Sequence, residues 1–352
     1  MLSIFKTRQD TFKVDVSGLE QDVQVDSEET LLSALLRQQV AVSHLCQVGE
    51  CGSCRCKLIA GRVKLKRDVS ARLSDEDLRR GHILACQAVA LGDVEIHVPG
   101  IGNGLPEQAS APAIEARIES MQRLAHNVIE LTLRPDTPIH FYAGQFATMH
   151  CLDERELAGV SRCYSFADAP VEAAALIRFH IRHVPGGRFT DWLFAADRIG
   201  ASLAISGVAG SFGYRASGRP VVCIAGGTGL APILSILRSL AMAATMPDVT
   251  LMLAARTAED LYGIADLEQL MPRWAGRFSL LPVLSLEPEH SHWGGLRGFC
   301  TDHFDRLGPL ADNDFYVCGP PGMIDAVANR LRNQVPEAQL HVDRFLDQSS
   351  PR

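Results

Sequence analysis

The sequence predicts a multidomain chain that mixes α+β and α/β architecture, and three observations lead there. Short alternating strands surround one clear helix over residues 1–98. A second set of strands, interrupted by a single helical segment, fills residues 114–216. From about residue 218 the rhythm becomes strand, helix, strand, helix, which predicts a doubly wound parallel sheet. Between the first two segments lies "PGIGNGLPEQASAPA", residues 99–113, rich in Gly, Pro and Ala and without periodicity, as in an inter-domain linker. Domains are therefore expected at 1–98, 114–216 and 217–352.

Bulk properties allow this. The chain has 352 residues, 47% of them hydrophobic and 21% charged, enough apolar material for two or three cores. Its net charge is −7, with acids and bases interspersed, which argues against a nucleic-acid binder. No apolar run approaches the roughly 20 residues needed to span a bilayer. "MLSIFKTRQD" lacks the pattern of a signal peptide. A cytoplasmic monomer is the expectation.

In the first segment "TFKVDV" and "VQV" alternate as half-buried strands do. "SEETLLSALLRQQ" reads as a helix with Ser27 as its cap, Glu28 and Glu29 at its positive end, and Leu31, Leu32, Leu35 and Leu36 on one face. "CKLIAG" and "VKLK", a short helical "SDEDLRR", and strands "HILACQAVA" and "DVEIHV" follow. The second segment offers "IEARIESM", "VIELTLRP", "QFATMHCL", "LIRFHIRHV" and "ASLAIS", a closed or sandwiched β domain. Its one helix, in "GRFTDWLFAADR", is expected to start near Thr190. In the third, "PVVCIAG" leads into "LAPILSILRSLAMAA" and "VTLMLAAR" into "DLEQLMPRWA". "FSLLPVLS", "DFYVCG" and "GMIDAVANRLRNQ" continue the alternation.

Four of the ten cysteines fall in "CQVGECGSCRC". In a reducing compartment such clusters bind metal or do redox chemistry more often than they form disulfides. Cys46-x4-Cys51-x2-Cys54, with Cys86 downstream in "LACQA", is the plant-type spacing for a 2Fe–2S cluster. Gly49 and Gly52 allow the sharp backbone needed to bring three sulfurs onto one loop, and the fourth comes from a separate strand. A zinc site of four cysteines would normally pair two short-spaced knuckles. Cys56 is the leftover, expected to pack under the loop. Cys151, Cys163, Cys223, Cys300 and Cys318 are scattered and read mainly as small buried hydrophobes.

Two further stretches suggest anion-binding turns. "SRCYSFA" carries Arg162, Tyr164 and Ser165 as R-x-Y-S. Arg182 and "HVPGGRFTDWL" follow, where Gly186 and Gly187 precede a helix whose first amides could face a diphosphate. Either stretch alone is a plain turn or surface pair; together they point to a cofactor. In "VVCIAGGTGLAPILSIL", Gly226, Gly227, Thr228 and Gly229 fill the turn between a strand and a helix, without forming a true G-x-G-x-x-G. "FYVCGPPGMI" puts Cys318 and Gly319 at the end of a later strand.

Taken together these motifs resemble the reductase component of bacterial multicomponent oxygenases, within the ferredoxin–NADP reductase superfamily. "CQVGECGSC" with "LACQ" is similar to that family's ferredoxin domain, "RCYS" to its flavin motif, and "GGTGLAP" and "CGPPGM" to its nicotinamide domain. The resemblance implies a β-grasp ferredoxin domain, a six-stranded antiparallel β-barrel for FAD, and a doubly wound nucleotide domain for NADH. By the same resemblance Cys46, Cys51, Cys54 and Cys86 would ligate the cluster. Arg162 would bind the FAD diphosphate with Arg182, Gly186, Gly187 and Thr190 around it. Tyr164 would pack on the isoalloxazine and Ser165 would approach its N5 edge. Gly226, Gly227, Thr228 and Gly229 would face the nicotinamide nucleotide, with Cys318 and Gly319 near the reacting carbon. Cys163 stands where the family often has serine. The segment "HVDRFLDQ" runs on past Phe345, a candidate cofactor-binding residue, without the terminal aromatic of plant-type relatives, which leaves open the group that covers the second face of the flavin.

The expected function is electron transfer from NADH through FAD and the 2Fe–2S cluster to a terminal oxygenase component or an intermediate ferredoxin. A flavin takes up a hydride and releases single electrons, which reconciles the two ends of the chain. A same-architecture reductase for another acceptor, such as a deoxysugar dehydrase, and a slowly turning redox-sensing flavoprotein are the alternatives. "LAARTAEDLYG", with Glu259 and Asp260 against one Arg256, favours NADH over NADPH. The basic run Lys57, Arg62, Lys64, Lys66 and Arg67 beside the cysteines reads either as a solvated strand or as a surface that steers an acidic partner.

Overall fold

Alternation of buried and exposed residues makes half-buried strands of β1 (Thr11–Val16) and β2 (Val23–Asp26), which bury Val14, Val16, Val23 and Val25. The computed structural model describes residues 11–99 and 113–345, apart from 20, 39, 41, 43–48, 50, 51, 53, 68, 70, 71, 153, 155, 156, 158, 159, 172–174, 244 and 245. Two units divide at 112/113.

In the first unit α1 (Leu31–Arg37) buries Leu31, Leu32, Ala34 and Leu35 in the core below the sheet. The cap is Thr30, whose hydroxyl accepts the Ser33 N–H at 3.2 Å, and not Ser27 as expected. The reason is local: Glu28 sits at φ +75°, so Ser27 and Glu28 form the turn out of β2 and helical geometry begins only after it. Glu29 turns to Arg37 instead, at 2.8 Å. There follow β3 (Arg55–Ala60), β4 (Val63–Leu65), α2 (Asp75–Arg79) with a Ser74–Asp77 capping box, β5 (His82–Leu84), β6 (Ala88–Ala90) and β7 (Val94–His97). The expected single strand "HILACQAVA" is broken into β5 and β6 by a turn at 85–87, so Cys86 lies in a turn and not on a strand. Five strands form a sheet in the order β2-β1-β7-β3-β5, with β1 and β7 parallel, and β4 pairs with β6 in a separate ribbon. This is the β-grasp arrangement.

The second unit begins with an antiparallel sheet of β8 (Ile114–Ala125), β9 (Val128–Pro135), β10 (Phe146–Cys151), β11 (Ser161–Ser165), β12 (Ile177–Arg182) and, after α3 (Arg188–Ala195), β13 (Ser202–Ala209). The order is β11-β10-β13-β8-β9-β12, and a bridge between Phe166 and Phe179 joins the two edges. The closed option is thus realised, as a six-stranded barrel. Phe166, fully buried, stacks on Phe141 at 3.9 Å and tilts against Phe179 at 4.9 Å, so the closing bridge is also the centre of the barrel core.

The remaining elements are β14 (Val221–Gly226), α4 (Leu230–Leu240), β15 (Val249–Ala255), α5 (Ile264–Leu270), β16 (Phe278–Leu284), β17 (Leu296–Arg297), β18 (Asp314–Gly319), α6 (Pro321–Leu331) and β19 (Leu340–Arg344). All six strands run parallel in the order β17-β16-β15-β14-β18-β19. Every residue of β14 is buried: Val221, Cys223 and Ala225 enter one core and Val222 and Ile224 the other, as a sheet covered on both faces requires. The first of these cores also takes Val128 and Phe212, so barrel and nucleotide lobe share apolar surface.

Phe166→Ala removes the ring that closes the barrel. It should cost about 3–5 kcal/mol of stability, measured by urea unfolding of the full chain under far-UV circular dichroism. A loss below about 1 kcal/mol would mean that the closure does not depend on this ring.

Candidate functional site

The cysteine site is visible through two of its four expected ligands. Cys54 precedes β3 and Cys86 lies in the turn between β5 and β6; both are buried. The Cys86 N–H donates to Cys54 Sγ at 3.5 Å, and the Ala85 N–H to the Cys54 carbonyl at 3.0 Å, tying the two positions together across 32 residues. Cys46 and Cys51 lie outside the described residues. The loop glycines adopt the left-handed conformation the sequence called for, Gly49 at φ +92° and Gly52 at φ +74°. Gly49 also makes room for a neighbour, since a Cβ there would stand 2.9 Å from Gln87 Cγ. The buried Gln87 amide in turn donates to Cys86 Sγ at 3.6 Å. Converging buried sulfurs with an amide donor beside them fit a thiolate-bound cluster. Cys56 points into the core at 1% exposure, and burial, aided by Cys54, pushes its thiol up to about 12. It stays a thiol at neutral pH.

On the barrel, β11 pairs with β10 in the register Ala147↔Tyr164, Thr148↔Cys163 and Met149↔Arg162. Arg162 and Tyr164 therefore leave one face, Cys163 and Ser165 the other. Tyr164 is half-buried 5.8 Å from Phe189 of α3, and burial pushes its hydroxyl above the ordinary phenol range against the pull of Arg162. The Arg162 guanidinium rests on the Ser161 carbonyl at 2.7 Å, Cys163 meets Thr148 at 3.5 Å, and Ser165 is buried. The helix α3 starts at Arg188, two residues before the position expected. Thr190 is the cause: its hydroxyl bonds to the Val184 N–H and to the Val184 and Gly187 carbonyls, which draws the loop tight behind Gly187. That hydroxyl is therefore spent. What the turn offers an anion is Gly186 at φ +77°, the free amides of the first helical turn, and the exposed cations Arg182 and Arg188. A flat aromatic, an arginine and an amide-lined turn on one barrel fit a flavin dinucleotide.

The third centre lies where strand order reverses, between β14 and β18, the place at which open α/β sheets hold ligands. Ala225 and Cys318 are neighbours in register there. A Cβ on Gly229 would collide with the Cys318 carbonyl, and one on Gly319 would stand 2.9 Å from the Gly226 carbonyl. Over Gly227, at φ +54°, the space is open, and Thr228 follows it in a short 3₁₀ turn. Cys318 is buried with its Sγ 3.8 Å from Asp343 Oδ2, and the Phe345 N–H reaches the Gly319 carbonyl at 3.3 Å. The sequence reading missed Gln87, His180, Tyr262 and Asp343. His180 shares a strand face with Arg178 and Arg182, which reads as a solvated row; it is buried because a second lobe covers it. A cavity of ≈490 Å³ borders the same face, lined by Glu130, Asp168, Arg178 and Arg238, of which Asp168 pairs with both arginines.

Comparison with known proteins bears on all three centres. Residues 14–91 match the 2Fe-2S iron-sulfur cluster binding domain, 115–214 the oxidoreductase FAD-binding domain, and 223–329 the oxidoreductase NAD-binding domain. The chain is 39% identical over 334 residues to the xylene/toluene monooxygenase electron transfer component of Pseudomonas putida, covering 94% of this chain and 93% of the relative. It is 32% identical over 319 residues to the ferredoxin–NAD(P)+ reductase component of the naphthalene 1,2-dioxygenase system of Pseudomonas putida, covering 90% and 93%. The solved ferredoxin reductase in carbazole 1,9a-dioxygenase superposes with a TM-score of 0.65 at 29% identity, covering 96% of this chain and 99% of that one.

Cys86→Ser should bleach or shift the visible spectrum of the cluster while flavin stays bound, and Cys56→Ser should leave both chromophores intact. The reverse pattern in iron content would overturn the ligand assignment. Gln87→Leu removes the N–H beside the Cys86 sulfur, a bond that favours the more negative, reduced cluster. Its reduction potential, followed by EPR-monitored titration, should fall by roughly 40 mV, the one-electron equivalent of about 1 kcal/mol for one lost hydrogen bond.

Proposed function

Because the chain belongs to the family of ferredoxin–NAD(P)+ reductase components of bacterial oxygenase systems, we propose that it oxidises NADH and delivers the electrons singly to a separate terminal oxygenase, with ferredoxin, FAD and nucleotide domains at 1–98, 114–216 and 217–352. The observation that carries this reading is the glycine-lined contact of the β14 and β18 ends, which sets a turn with open space over Gly227 beside Cys318. Bound FAD would supply the conversion of one hydride into two single electrons, and the cluster their exit.

The chain's own residues divide the work. Arg162 sets a fixed planar cation against the diphosphate that the α3 turn meets with neutral amides. Tyr164 offers its ring to the flavin, and Gly226 to Gly229 let a nucleotide approach the backbone. Cys318, at the end of β18, would lie near the nicotinamide, and Phe345 is tied to that strand end through its N–H on the Gly319 carbonyl. Beside the cluster turn, the Lys66 N–H donates to the Gln87 carbonyl at 2.8 Å, so the basic strand β4 runs against the ligand-bearing turn. Arg62 and Lys64 are exposed at and on β4 and Lys57 on β3, a favourable rim for an acidic partner. No helix among the described residues is long and apolar enough to cross a membrane; the reading is of a monomer acting in the cytoplasm.

At the end of β15 the charge is mainly negative. Glu259 is exposed, Asp260 closes a capping box with Thr257, and Glu287 accepts the Ala258 N–H at 2.7 Å, which holds its carboxyl below the usual range. Arg256, at the end of the same strand, is exposed. Steady-state kinetics with ferricyanide should give kcat/KM at least about tenfold higher for NADH than for NADPH. Equal efficiencies would sink the coenzyme assignment, and failure of NADH-reduced protein to reduce any oxygenase component would sink the reading as a whole.

A further inference from the structure

A buried side-chain chain links the barrel to the nucleotide turn, and no motif in the sequence announces it. Tyr262 follows the capping-box turn Thr257–Asp260 and precedes Gly263, which at φ +80° seats the start of α5 on Leu230 of α4. The loop is thus fixed from both sides, and the Tyr262 ring is 7% exposed. Its hydroxyl donates to the Gly227 carbonyl at 3.0 Å. With that hydrogen committed, the phenol oxygen accepts from His180 Nδ1 at 3.4 Å, while the two rings meet edge to face at 5.4 Å. His180 stands on β12 directly across from Glu130 of β9, with Nε2 3.7 Å from the carboxylate, an ion-pair distance that leaves Nε2 without a hydrogen bond.

The Gly227 carbonyl is the consequential partner. It also accepts the Leu230 N–H, so both its lone pairs are engaged and the orientation of the peptide is set. A trans peptide directs its N–H opposite to its carbonyl. Holding the Gly227 oxygen inward on Tyr262 therefore aims the Thr228 N–H away from Tyr262. Burial pushes the Tyr262 phenol far above its ordinary range, with Cys318 adding to the shift and Arg182 opposing it, so the hydroxyl lies among groups of both cofactor sites and stays protonated.

We infer that Tyr262, itself held by His180, is a positioning residue for hydride transfer: it fixes the Gly227–Thr228 peptide that receives the NADH nucleotide, and fastens that turn to the flavin-bearing barrel. The inference rests on the reading of the turn as the NADH site. Small displacements of a hydride donor are costly, because the reacting atoms must meet within a narrow range of distance and angle.

Anaerobic stopped-flow reduction of the holoprotein by NADH tests it. Tyr262→Phe keeps the ring and removes the hydroxyl. Flavin and iron content and reduction by dithionite should match the wild type, the limiting rate of flavin reduction by NADH should fall about tenfold, as for one lost hydrogen bond in the transition state, and the long-wavelength NADH–flavin charge-transfer band should weaken. His180→Leu should show the same fall, the double variant should be no slower than either single one, and His180→Asn, which keeps a donor near the Nδ1 position, should recover most of the rate. A Tyr262→Phe protein within about twofold of the wild-type limiting rate, or a His180→Leu loss that His180→Asn does not recover, overturns the inference. A wild-type protein reduced by dithionite but not by NADH would instead show that the turn is not the NADH site.

Discussion

The architecture of the nucleotide lobe depends on one close approach, that of the β14 turn to the end of β18. A Cβ on Gly229 would run into the Cys318 carbonyl and one on Gly319 would stand against the Gly226 carbonyl, while one on Gly226 would meet Met323 and Pro320 at the start of α6. Adding a Cβ at Gly229 or Gly319 forces two central, doubly covered strands apart, and the strain enters both cores at once because alternate residues of β14 feed each of them. The same approach sets how far Cys318 lies from the turn proposed to receive the nucleotide. Packing and function therefore make one demand on these positions, which is why the least specific sequence signal, a run of glycines, marks the most constrained place in the lobe.

The seam between barrel and nucleotide lobe is built differently. Apolar contact is supplied by Val128 and Phe212, but part of the seam is polar: Arg238 of α4 reaches across it to the Ala167 carbonyl at 2.9 Å and to Asp168 at 3.7 Å, while Asp266 on its own lobe pairs with Arg238 and Arg178 on the barrel with Asp168. Burial acts to push the Glu130 carboxyl up, yet His180, Arg178 and Arg238 outweigh it and hold the carboxyl below its ordinary range. Paired charges removed from water contribute little net stability, since desolvation offsets most of the attraction, but they penalise misalignment severely. Such a seam fixes orientation more than it adds free energy, and orientation is what two cofactor sites on adjoining lobes need.

Much of this was legible beforehand. The rhythm of strands and helices gave three segments, and the spacing of Cys54 and Cys86 implied a fold that brings them together, as it does. The errors were local. Ser27 looked like a cap because its type and position were right, and only the left-handed Glu28 moves the helix start to Thr30. Cys86 seemed to sit on a strand because "HILACQAVA" is apolar throughout, and apolar content does not register a turn. The outward row Arg178, His180, Arg182 could not reveal that another lobe covers its middle member, nor could an isolated Tyr262 reveal its partner eighty-two residues away in sequence. Long-range contacts between single polar residues leave no periodic trace.

The pairing of β1 with β7 has a consequence for how the protein is made. Val14 lies against Val94 and Val16 against Ile96, so the ferredoxin sheet joins its earliest strand to its last one and cannot form in stages. Once residue 97 has left the ribosome, however, this sheet needs nothing that follows. The barrel must wait much longer, because β8 pairs with β13, from Arg117↔Ser202 to Ile114↔Ile205. Contacts so distant in sequence close slowly. Synthesis thus opens an interval in which the cysteine-bearing domain can fold and acquire iron while the flavin-binding part of the same chain is still being translated.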